Sequence, residues 1–97
     1  MLNSRQRAQL RSKANGIEAI FQIGKGGINE QLVKQVNEAL EARELIKISV
    51  LETCPDNAKN ISALLADKTG ADVVQVIGFK FILYKESVNK KQIVLVK

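Results

Sequence analysis

The stretch Ala19 to Arg43, AIFQIGKGGINEQLVKQVNEALEAR, changes its apolar spacing halfway along. Ala19 to Ile23 (AIFQI) is a short, rich apolar run that suits a buried strand, and it ends in Gly24-Lys25-Gly26-Gly27. Three glycines in four residues give a backbone free to take positive φ. Asn29 can then cap a helix to about Arg43, with Leu32, Val33, Val36, Ala39 and Leu40 at helical spacing and Glu30, Lys34 and Glu38 spaced for exposed pairs. A strand, a glycine loop and an amphipathic helix in succession point to an α/β chain.

Working outward, the same reading assigns the rest. Asn3 or Ser4 can cap a first helix to about Ala14, with Gln6 completing a capping box and Gly16 closing the helix. Leu10 and Ala14 form its narrow apolar side, flanked by Arg7 and Arg11, while Arg5 points away. A helix so poor in apolar residues is expected to dock lightly and leave its arginines in water. Leu45 to Leu51 reads as a second strand. Pro55-Asp56 opens a third helix with Ile61, Leu64 and Leu65 inward and Gly70 as its stop. Val73 to Ile77 and Phe81 to Lys85 read as two strands joined tightly around Gly78, and Ile93 to Val96 is long enough for one more short edge strand. The predicted order is α-β-α-β-α-β-β in two layers, with a mixed four-stranded sheet. Parallel strands end together, which puts the GKGG loop at the carboxyl edge of the sheet, where open α/β sheets carry their ligand contacts.

Composition narrows the chemistry. The 97 residues fit one domain with one core, and the sequence contains no repeats or linkers. With no His and one Cys, the usual general base, the commonest metal ligand, an internal disulfide and a thiolate cluster are all missing, so neither a metal nor another cofactor is expected. Cys54, beside Pro55, has no histidine to activate it and reads as structural. Asp67 with Asp72, and Glu41 with Glu44, read as solvated carboxylates and not catalytic pairs. The lone thiol and the lack of a signal segment at Met1 to Asn15 suggest a cytoplasmic setting, and apolar runs of four or five residues cannot span a membrane.

The net charge of +5 comes from 15 Lys and Arg against 10 Asp and Glu, and it is unevenly placed. Met1 to Lys34 carries six basic and two acidic residues, Gln35 to Gly78 four and seven, and Phe79 to Lys97 five and one. Two basic ends surround an acidic middle. If the fold brings the ends together, a cationic face results that could draw phosphates; otherwise the charge serves solubility.

Gly24 to Gly27 is a candidate phosphate cradle with Lys25 as a mobile cation. It is neither a Walker loop nor a dinucleotide fingerprint, but it fits the short G-x-x-G loop with which KH modules clamp a nucleic-acid backbone; a plain tight turn is the competing reading. Ile77 to Tyr84 partly matches the aromatic RRM signature and fails at Ile77 and Lys80, so Phe81 and Leu83 read as core and Lys80 as surface.

Four separated segments together resemble one family, the CRM domain (chloroplast RNA splicing and ribosome maturation), whose bacterial single-domain members are the YhbY-like proteins. They are Leu2 to Ala14, with its basic-Gln-basic and Leu-basic spacing; Gln22-Ile23-Gly24-Lys25-Gly26-Gly27; Glu44 to Ile48; and Gln75 to Gly78 running through Leu83-Tyr84-Lys85. The match covers Leu2 to about Glu86, with Asn15 standing where many members have His and Ala19-Ile20 replacing a Pro-containing pair. The resemblance implies a fold similar to the C-terminal domain of bacterial initiation factor three, and RNA binding without catalysis. For bacterial members it also implies association with ribosomal RNA in the maturing large subunit. On that expectation Arg5, Arg7, Arg11 and Lys13 contact phosphates, Gly24, Lys25, Gly26 and Gly27 let the strand approach, and Lys80 and Lys85 extend the track of a monomer. The alternative is a protein-interaction adaptor docking on the ribosome through the acidic middle and the second helix.

Overall fold

Asn3 caps the first helix as the sequence demands. Its side chain accepts the Gln6 N–H at 2.9 Å while the Gln6 side chain accepts the Asn3 N–H at 3.1 Å, so two otherwise orphaned donors are satisfied reciprocally. The computed structural model describes residues 2–97, and α1 runs Ser4–Ala14. The remaining elements are β1 (Ala19–Ile23), α2 (Glu30–Arg43), β2 (Leu45–Val50), α3 (Ala58–Thr69), β3 (Asp72–Ile77) and β4 (Lys80–Tyr84). Asn29 and Asn57 cap α2 and α3 through their side-chain oxygens, each at 2.8 Å, and Gly70 ends α3 in the left-handed conformation at φ 77°. The start of α3 is therefore set by Asn57, two residues beyond Pro55.

The sheet order is β1-β2-β4-β3, with β1 and β2 parallel and β4 antiparallel to both of its neighbours. The last strand in sequence is thus a central one. Phe81, Ile82, Leu83 and Tyr84 are all buried, as a strand covered on both faces requires. Each edge strand carries a register irregularity, between Ala19 and Phe21 in β1 and between Val73 and Gln75 in β3, which makes its exposed edge a poor template for further pairing.

Helices α2 and α3 cover one face, packing Val36, Leu40, Ile61 and Leu65 against Ile46, Ile48, Phe81 and Leu83. The two-layer expectation stops there, and the structure adds a partial third layer. Alternation along β2 and β4 sends Leu45, Ile82 and Tyr84 to the opposite face, where Leu2, Leu10 and Ala14 meet them together with Ile93 from the tail. Leu10 and Ala14 are fully buried, so the two apolar positions of α1 suffice to dock it. Leu64, expected to point inward, is 47% exposed; Ile61 and Leu65 already fill the inner stripe of α3.

The tail does not form the edge strand that Ile93 to Val96 suggested. It runs along α1 and is held by side chains, with Gln9 accepting the Val96 N–H at 2.9 Å and donating to the Val94 carbonyl at 2.8 Å. Gln6 donates to the Val96 carbonyl at 2.9 Å. Its other anchor is Glu44, which is not a solvated carboxylate but fully buried, at a positive φ of 65°. Its two oxygens accept the N–H groups of Ser87, Gln92 and Ile93 at 2.9, 2.5 and 2.7 Å. Glu41 does the same one helical turn earlier, accepting the Ser87 hydroxyl and the Val88 and Asn89 N–H groups.

Candidate functional site

Strands β1, β2 and β3 finish, and β4 starts, at one end of the sheet, so Ile23, Val50, Ile77 and Lys80 are close to a single edge. The loops that leave this edge are tied to one another by main-chain hydrogen bonds. Leu51 donates to the Ile23 carbonyl at 2.8 Å, and Val50 donates to the Phe79 carbonyl at 2.6 Å. The glycine loop and the β3–β4 hairpin tip are therefore fixed to the same strand end.

The three glycines of the loop differ in what the fold asks of them. Gly27 donates back to the Gly24 carbonyl at 3.0 Å, closing a tight turn with the exposed Lys25 in its middle. Only Gly27 takes positive φ, at 61°, so the conformational freedom expected of all three is used once. Gly24 is a packing glycine, since a Cβ there would sit 3.4 Å from both the Leu51 Cδ1 and the Thr53 Oγ1. Gly26 has neither constraint: nothing lies within 4 Å of where its Cβ would be. An open hollow of about 380 Å³ borders the loop, lined by the amides of Gln22, Asn29, Gln31 and Gln35 and by no carboxylate. Glu30 instead lines a second hollow, with Ile28, Val33 and Lys68.

The sheet itself supplies a second part of the surface. Because Ile46, Ile48 and Val50 face α2 and α3, the intervening Lys47 and Ser49 face the side that carries α1. Register places Gln22 opposite Ser49, Ser49 opposite Lys80, and Lys80 opposite Ile77, forming one row across all four strands. The row lies beyond the part of the face that α1 and the tail cover through Leu45, Val74, Ile82 and Tyr84. Lys47 lies one step nearer the covered half, half-buried between Ala19 and Ile82.

The flanks of α1 sort its basic residues. Gln6 and Gln9 reach the tail, so that flank faces the far end of the sheet, and Lys13 lies on the same flank, sharing a hollow with Arg43, Leu45 and Gln92. Arg7 and Arg11 occupy the other flank, which meets β3 near Val73, a residue paired with Leu83 and so nearer the covered end of the sheet than the Ile77–Lys80 pair, and Arg5 points outward. Arg7 is not simply in water as expected: it is half-buried, and its guanidinium donates to the Val73 carbonyl on β3. Lys85, expected to extend the same track, leaves β4 at the opposite end, where its ammonium donates to the Thr69 carbonyl at 2.8 Å and caps α3.

The structure thus gathers Gly24, Lys25, Gly26, Gly27 and Lys80 at one end of the sheet, sets Arg7 on α1 against Val73 nearer the middle of β3 with Arg11 on the same flank, and separates Lys13 and Lys85 from the loop. It adds Gln22, Lys47, Ser49 and the 62% exposed Phe79, which the sequence reading did not single out. The signal for Lys47 and Ser49 was present in LIKISV, where polar residues alternate with apolar ones along a strand.

Comparison with known proteins agrees with this architecture. The model of the CRS1 / YhbY (CRM) domain matches residues 2–85. The chain is 48% identical over 95 residues to the "Probable RNA-binding protein YqeI" of Bacillus subtilis, covering 98% of this chain and 99% of that one. It is 28% identical over 90 residues to a Haemophilus influenzae "RNA-binding protein", covering 93% and 91% of the two. The solution structure of the hypothetical protein SAV1595 from Staphylococcus aureus superposes with a TM-score of 0.82 at 47% identity, covering 99% of this chain and 100% of that one. With its strand, glycine loop and closing hairpin all inside the matched region, the chain belongs to the CRS1/YhbY (CRM) domain family.

Proposed function

We propose that the protein binds RNA without catalysis, through the sheet edge that carries the glycine loop and the hairpin tip. The observation that carries this reading is the tie between the two through the end of β2: Leu51 is bonded to Ile23, which leads into a loop with an open Gly26 and an exposed Lys25, and Val50 is bonded to Phe79, which precedes Lys80. A sugar-phosphate backbone can approach at Gly26 without meeting a side chain. Lys25, Lys80 and Lys47 then provide three cations at and near that edge, and Arg7 and Arg11 on α1 add two more for counterion release. Relatives named as RNA-binding support the polymer. The family resemblance supports the finer reading, that the RNA is ribosomal, in a large subunit under maturation; the lone thiol supports a cytoplasmic setting, and we take the protein to act as a monomer. The adaptor alternative loses two of its acidic residues, because Glu41 and Glu44 are engaged by the protein's own tail.

The test is the salt dependence of binding to a structured ribosomal RNA fragment. The log-log slope should be near −0.7 per contact for single-stranded segments and about −0.9 for duplex. Affinity indifferent to salt would remove this surface from the account. Pull-down with and without ribonuclease separates the adaptor alternative.

A further inference from the structure

We propose that Phe79, at the tip of the β3–β4 hairpin, is a stacking platform for an unpaired nucleobase; this rests on the RNA-binding reading above and deepens it. The chain has four aromatic residues, Phe21, Phe79, Phe81 and Tyr84. Phe81 and Tyr84 are buried and Phe21 packs against the α2–α3 core, whereas Phe79 is 62% exposed. Folding gains little from an aromatic ring left in water. The ring's backbone, by contrast, is held: the Phe79 carbonyl accepts the Val50 N–H at 2.6 Å, and the preceding Gly78 makes the turn at φ 57°. An exposed ring on a fixed hairpin is a pre-organised contact.

Its surroundings name the chemistry. Lys80 follows directly in the chain, and the exposed Lys25 belongs to the loop whose strand is tied to the same end of β2, so the ring shares its end of the sheet with two exposed cations. The neighbouring exposed apolar residues are Ile77 at 53%, Leu51 at 39% and Val76 at 38%; each is smaller than the ring, and the lysines at the same end of the sheet favour a ligand that also carries phosphates over a purely apolar partner. A ligand that offers a flat π-face and phosphates at once is a nucleotide, and an unstacked one, because a paired base has both faces covered.

The sequence has no tryptophan, so Phe79→Trp in the full chain creates a single reporter. Titrated with a single-stranded oligouridylate, its emission should change on binding, and much less with the same oligomer made abasic. Phe79→Ala should weaken oligouridylate binding roughly ten-fold without altering the salt slope, since a base and not a phosphate is lost. Phe79→Leu should weaken it comparably, because it keeps the apolar bulk and loses the π-face. All three variants should keep the wild-type melting temperature, given the exposure of the ring. If wild-type protein binds RNA with a steep salt slope while Phe79→Ala and Phe79→Leu bind equally well, or the tryptophan emission is indifferent to the oligomer, the stacking role is wrong and the RNA reading stands. Absence of any RNA binding by the wild type would overturn both.

Discussion

Glu44 accepts the backbone N–H of Ile93 at 2.7 Å, joining the turn before β2 to a tail residue 49 positions later. That contact fastens the tail whose Ile93 and Leu95 complete the hydrophobic layer beneath α1, so a buried carboxylate indirectly positions the helix that carries Arg7 and Arg11. Burial pushes the Glu44 pKa up, but the N–H groups of Ser87, Gln92 and Ile93 outweigh it and hold the carboxyl below its ordinary value near 4.5. Glu41 is lowered as well, by the Val88 and Asn89 N–H groups and the Ser87 hydroxyl.

A carboxyl whose folded pKa is depressed stabilises the fold above its unfolded value and loses that contribution as pH falls through the folded one. Glu44→Gln replaces one acceptor oxygen by a donor facing backbone N–H groups, and it should lower stability by about 2 kcal/mol at neutral pH. The gap between wild type and variant, followed by thermal melting, should close as the solution is acidified below 4.5. A gap independent of pH would mean that shape, not charge, holds the tail.

The glycine loop separates conformational need from ligand need. Gly27→Ala forces a Cβ into left-handed backbone and should cost about 1–2 kcal/mol, read as a lower melting temperature. Gly26→Ala, with open space around it, should change stability by no more than about 0.5 kcal/mol and still weaken RNA binding by crowding the backbone approach. Equal RNA affinity for Gly26→Ala and wild type would leave the loop as a plain tight turn.

Position on the sheet, and not charge alone, should decide which lysines matter. Replacing Lys25 and Lys80 together with alanine should flatten the log-log salt slope by about 1.4 to 1.8. The same net change made at Lys13 and Lys85 should leave the slope nearly intact. Lys85→Ala should instead lower stability by about 1 kcal/mol through the lost cap on the Thr69 carbonyl. Equal slopes for the two double variants would show a diffuse charge effect.

Arg7 and Arg11 share a flank of α1 and differ in what they hold. Arg7→Ala should reduce both the melting temperature and RNA affinity, because its guanidinium is bonded to the Val73 carbonyl and is also one of the cations of the proposed surface. Arg11→Ala, at an exposed position, should reduce affinity alone. Paired melting and titration experiments distinguish the two, and an unchanged melting temperature for Arg7→Ala would mean that the bond to Val73 adds nothing to the fold.

What could be read from the sequence was local. The Asn3–Gln6 capping box, the Asn29 cap, the Gly70 stop and the alternating or continuous apolar runs of the strands depend on residues within a few positions of each other, and they set the order of the seven elements. The strand-to-helix position of GKGG followed from the same local rules. What the tertiary structure alone decided was which distant residues meet. β4 lies between β2 and β3, so the hairpin tip arrives beside the glycine loop while Lys85 is carried to the far end. The carboxylate of Glu44 is buried only because a tail 43 to 49 residues downstream brings it three N–H groups. Spacing along a chain determines caps and faces, because those are satisfied within a turn or two. It cannot assign partners to a charge whose donors are fixed by long-range packing, and that is why only the tertiary structure carries Lys13 and Lys85 away from the end of the sheet that holds the glycine loop and Phe79.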